Sequence, residues 1–138
     1  MKKLAFILIA LFLVAFLPPA KNFQGTWKMI SYKVVDDGAA RYLQGEQLKT
    51  WTKNHVLFVG KFHVDGEDIY NYGSAKYSIK GTHYTENFIN MTSGANEGKA
   101  VKVLLEIKGD TLFQTFPIKD DWTFDKNNYR QEKYIRAE

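Results

Sequence analysis

The stretch Val101-Lys102-Val103-Leu104-Leu105-Glu106-Ile107 decides the fold class. Val101, Val103, Leu105 and Ile107 fall on one side; Lys102, Leu104 and Glu106 fall on the other, the two-residue period of a strand with one buried face. Gly109-Asp110 then turns the chain into Thr111–Ile118, where Leu112, Phe116 and Ile118 share a face. Working back from Val101, a loop rich in Ser93, Gly94, Asn96 and Gly98 separates it from a strand running from His83 to about Met91. Before Gly81, Ala75, Tyr77 and Ile79 alternate with Ser74, Lys76, Ser78 and Lys80. Asp65-Gly66 reads as a turn, and residues 55–64 ahead of it place Val56, Phe58, Phe62 and Val64 on one face. A strand over residues 25–35 stops at Asp36-Asp37-Gly38, and a last one covers Tyr129–Arg136.

Seven strand signals joined mostly by short turns describe an antiparallel all-β barrel or sandwich rather than a parallel sheet. A five-stranded OB-like barrel is the alternative, and the number of strands disfavours it. Residues 39–53 break the pattern. Leu48 and Trp51, spaced by three, predict a short helix between the first two strands, against which Gly45 argues. A connection of that length would serve as a lid or plug over one barrel mouth, or as an irregular loop with Trp51 packed on the core.

Bulk properties narrow the classes. The chain is 45% hydrophobic and 15% aromatic, enough to hold one domain by its core without the disulfides that its lack of cysteine forbids. Thiol catalysis and Cys-based metal sites go with the cysteines. The first twenty residues read as an export signal: Lys2 and Lys3, the apolar run Leu4–Leu17, then Pro18-Pro19-Ala20. Cleavage is expected after Ala20, leaving residues 21–138 as the domain in a secreted or periplasmic location, with an uncut leader as the alternative. The apolar run is shorter than the ~20 residues a bilayer-spanning helix needs, so no stable membrane anchor is expected after cleavage. Losing Lys2 and Lys3 takes two from the formal charge of +4, and the remaining lysines are scattered. No concentrated basic face points to nucleic acid.

Gly25-Thr26-Trp27 opening the first strand, with Arg136 late in the last (Arg130 less well placed), resembles the lipocalin signature. Gly73–Glu86 and Glu106–Gln114 are similar to hairpins of small secreted bacterial lipocalin-like domains, calycin-type barrels that are largely uncharacterised. The resemblance implies an up-and-down barrel of about eight strands in which Trp27 closes one end and Arg136 lies across its ring, a contact worth about 0.5–2 kcal/mol. The Thr-Asp-Tyr turn of true lipocalins is absent.

Within such a barrel, Phe58, Phe62, Tyr77, Tyr84, Phe88 and Phe116 are the expected lining of a cavity for a small hydrophobic or amphipathic ligand. Glu86 and Asn90, on the strand face of Tyr84 and Phe88, would orient a polar end, Glu86 by gripping an amine or serving as a weak general base. His55 and His63 lie too far apart on one strand to clasp a metal, and their face shares Lys61, so it is expected to face solvent. A lone histidine holding haem is a remote alternative. No serine sits in a nucleophile elbow, so no catalytic residue is assigned, and neither metal nor cofactor is expected. Two rivals stand beside ligand binding: an envelope or interaction protein with a filled barrel, and an enzyme using Glu86 or a histidine.

Overall fold

A computed structural model describes residues 22–94 and 96–137; the proposed leader lies outside the described residues. Eight strands follow in chain order: β1 Gly25–Asp36, β2 Ala39–Trp51, β3 His55–Val64, β4 Glu67–Lys80, β5 His83–Met91, β6 Ala100–Lys108, β7 Thr111–Phe116 and β8 Tyr129–Arg136. Each pairs antiparallel with the next, and β8 pairs back with β1, so the sheet closes into an up-and-down barrel with no free edge. No described residue is helical.

The expected helix between the first two strands is therefore corrected: residues 39–51 form β2. Asp37 and Gly38 both take positive φ (48° and 79°), the requirement of a two-residue hairpin turn whose twist matches its strands. Asp65-Gly66 repeats that geometry between β3 and β4. Leu48 and Trp51 are not on one face; Trp51 points inward with Gln47 and Lys49, while Leu48 is exposed. Gly45, which argued against the helix, has a different reason to be there. A Cβ on it would lie 2.5 Å from the Phe62 ring and 2.7 Å from the Lys61 carbonyl oxygen. The bare backbone lets Phe62 lie across β2.

Two bulges alter which residues face inward. In β1 the register slips between Met29 and Ser31, so the inward set changes from Trp27 and Met29 to Tyr32 and Val34. In β5 the register slips beyond Phe88, and Met91 rather than Asn90 continues the inner face. The inward residues of all eight strands form one cluster, including Val56, Phe58, Phe62, Tyr84, Phe88, Val103 and Leu105, with Tyr77, Ile79 and Phe116 packed against it.

At one end the rings are packed together, leaving only a recess of about 250 Å3 beside Phe23, Leu105 and Ile107. Trp27 is buried at the β1–β8 seam, where it pairs with Arg136, and its indole N–H donates to the Phe23 carbonyl at 2.7 Å. The Arg136 guanidinium carbon lies 4.2 Å from the Trp27 ring centroid while its nitrogens donate to the carbonyls of Asn22 and Gln24. Gly25 carries φ of 110° beneath that guanidinium, where a Cβ would come within 2.5 Å of it. Phe23 caps this end, edge-on to Trp51, Tyr77 and Tyr84.

Candidate functional site

The opposite end is hollow. A cavity of about 510 Å3 enters the barrel from the side of the β3–β4 turn and the β5–β6 loop, within the size range of small-molecule sites. Phe58, Phe62 and Val64 from β3, Phe88 from β5 and Val103 from β6 form its apolar walls. Tyr32, Ile69, Met91 and Phe116 stand around the mouth. Burial, followed by the charge of Glu132, pushes the Tyr32 phenol up to about 12.

Where the walls end, the floor is polar. Lys49 of β2, Glu86 of β5, Gln114 of β7 and Glu132 of β8 reach the cavity and are themselves buried. The Lys49 Nζ donates to Gln114 Oε1 at 2.7 Å and lies 3.4 Å from Glu132 Oε2. It also sits 5.7–5.9 Å from the ring centroids of Phe58, Tyr134 and Trp51. Desolvation alone would push this ammonium down; Glu132 and Glu86 outweigh it and hold Lys49 above the ordinary lysine value.

Two hydrogen-bonded relays end at the two carboxylates. In the first, Asn71 Nδ2 donates to Gln47 Oε1 at 3.0 Å, Gln47 Nε2 to Tyr134 Oη at 2.6 Å, and the Tyr134 hydroxyl to Glu132 Oε2 at 2.6 Å. In the second, Trp51 Nε1 donates to Tyr84 Oη at 2.9 Å and the Tyr84 hydroxyl to Glu86 Oε1 at 3.0 Å. Burial, reinforced by the adjoining carboxylates, pushes both phenols well up, so each remains a hydrogen-bond donor.

The expected cavity residues separate into three groups. Phe58, Phe62, Glu86, Phe88 and Phe116 line the cavity. Tyr84 and Tyr77 lie deeper, toward the solid end: Tyr84 supports Glu86 from below, and the Tyr77 hydroxyl donates to the Thr52 carbonyl at 2.6 Å. Asn90 is corrected. The β5 bulge turns it outward onto an external groove beside Leu57 and Tyr72. Gly25, Trp27 and Arg136 meet at the solid end as described above. His63 lies outside the barrel against Asp68, 3.1 Å away, and His83 stacks on Trp122 at 4.0 Å.

Gln47, Lys49, Gln114 and Glu132 are interior residues that the sequence reading did not select. Parity could have found Gln114, which lies between Leu112 and Phe116; Gln47 and Lys49 lie on a strand whose sequence showed no apolar alternation. No family model matches the chain, and neither a curated protein nor a solved structure matches it significantly. The closed eight-stranded antiparallel barrel is compatible with a lipocalin-like fold.

Proposed function

We propose that this protein is a lipocalin-like carrier acting outside the cytoplasm after loss of residues 1–20, and that it binds one small hydrophobic or amphipathic molecule in the barrel. The observation that carries this reading is the apolar-walled void of about 510 Å3 above a buried polar floor. Aromatic and aliphatic walls supply affinity by burying apolar ligand surface, at ~25 cal/mol per Å2 before the costs of association. The floor gives a polar end somewhere to go. Lys49, kept as an ammonium by its two carboxylate neighbours, has no lone pair to act as base or nucleophile, which favours anchoring over catalysis.

Isothermal titration with decanol tests the reading. Saturable one-to-one binding, weakened at least tenfold by Phe88→Asp in a variant that still folds, is the expected result. Absence of heat and of any bound species in native mass spectrometry, with decanol and with ten-carbon amine and acid analogues alike, would overturn it.

A second reading, an interaction protein, rests on the outer surface. Leu48, Val59 and Tyr72 are direct neighbours across β2, β3 and β4 and are 43%, 58% and 56% exposed. Such a row is the kind of patch that partners cover.

A further inference from the structure

The two relays differ in one respect. Glu132 is answered by a cation, since Lys49 lies 3.4 Å from its carboxylate and donates onward to Gln114. Glu86 receives one hydroxyl, from Tyr84, and Lys49 makes no hydrogen bond or ion pair with it. Glu86 is 4% exposed, and that remainder opens into the cavity. One lysine therefore stands among two carboxyl groups, and it is bonded to only one of them. Two cations near Tyr32 at the mouth are engaged elsewhere. Arg130 and Arg41 lie 2.8 and 3.6 Å from Asp36 and are engaged there.

From this asymmetry we infer that the ligand is an amphipathic amine whose ammonium docks on Glu86, its apolar body lying along Phe58, Phe62 and Phe88. The inference rests on the ligand-binding reading above and adds the ligand's chemical class. An ammonium arriving at Glu86 supplies the second cation that the floor lacks, and its N–H groups can reach the carboxyl oxygen that Tyr84 leaves open. A fatty carboxylate would make a third anion in the same enclosure, and an alcohol would leave the charge unchanged. The positive formal charge of the whole chain, +4, does not reverse this preference. Charges spread over the outer surface are screened within about 8–10 Å in physiological salt, whereas buried ones are screened much less.

The test is titration of the intact protein with decylammonium, decanol and decanoate at neutral pH, with one chain length throughout so that apolar burial cancels. Decylammonium is expected to bind at least tenfold more tightly than decanol, and decanoate more weakly than both. In Glu86→Gln, which keeps an oxygen for the Tyr84 hydroxyl, the ratio of ammonium to alcohol affinity should fall to about one. Equal binding of ammonium and alcohol by the native chain, or tightest binding of decanoate, overturns the amine assignment and leaves the cavity reading standing. Should none of the three bind, the cavity reading itself fails and the amine with it. The native-chain comparison decides the matter even if the variant does not fold.

Discussion

The two halves of the barrel share their strands but not their filling. Toward the amino-terminal end, Phe23 meets Trp51 and Tyr84 edge to face and accepts the Trp27 indole N–H on its carbonyl, and both indole N–H groups are satisfied, so the interior there is packed. Toward the other end the inward residues are as apolar, yet Phe58, Phe62 and Phe88 stand back from a void. Hydrophobic alternation alone does not decide which outcome results. What separates the halves is the polar layer between them, where Lys49, Gln114, Glu86 and Glu132 carry charge and hydrogen bonds that a further layer of rings would strand.

That boundary is where a single change should cost most. Lys49→Met removes the cation that answers Glu132 and leaves both buried carboxyl groups without one; a loss of about 3–5 kcal/mol is expected, measured by urea unfolding. A neutral result would mean that the layer is not charged as described. Trp27→Ala should cost about 3–5 kcal/mol by the same assay, as a buried ring lost from the solid end. No change would contradict its role in closing the barrel.

A pair on one strand sharpens the contrast. Leu112, fully buried, and Phe116, half-buried at the mouth, are both inward residues of β7. Leu112→Ala should cost about 3 kcal/mol and Phe116→Ala about 1 kcal/mol, although phenylalanine is the larger side chain. Equal losses would mean that the mouth is packed like the solid end.

The smallest effect at neutral pH appears only in alkali. Tyr32, Tyr84, Tyr134 and Lys49 all have folded-state values raised above their ordinary ones. Groups of this kind contribute stability that is complete below their unfolded values, near 10, and is lost as pH rises through the folded ones. Stability should therefore fall from about pH 10 upward, with the tyrosinate absorbance of the buried phenols rising together with loss of β-sheet circular dichroism. Ionisation of Tyr84 and Tyr134 with the sheet intact would contradict their burial.

How much of this was legible in the sequence depends on the residue. The barrel was, because β3, β6 and β7 each repeat apolar residues at a two-residue period, most cleanly Val101, Val103, Leu105 and Ile107 of β6, and glycine turns mark the reversals. β2 was not. Its inward positions Gln47 and Lys49 are polar and Gly45 has no side chain, so alternation left no apolar signal, while the three-residue spacing of Leu48 and Trp51 imitated a helix. The Asp37-Gly38 dipeptide was the overlooked sign, being the same hairpin turn that was read correctly at Asp65-Gly66. Asn90 went astray because a bulge reverses parity without changing composition. The pairing of Lys49 with Glu132 joins strands far apart in the chain, and only closure of the barrel brings them together.

The central claim is that one half of the barrel admits a ligand and the other does not. Aromatic side-chain NMR during titration with decanol tests it most directly. The account predicts saturable shifts at Phe58, Phe62, Phe88 and Phe116, with the Trp27 indole unmoved. Shifts confined to the outer row of Leu48, Val59 and Tyr72, or spread equally to Trp27, would contradict it.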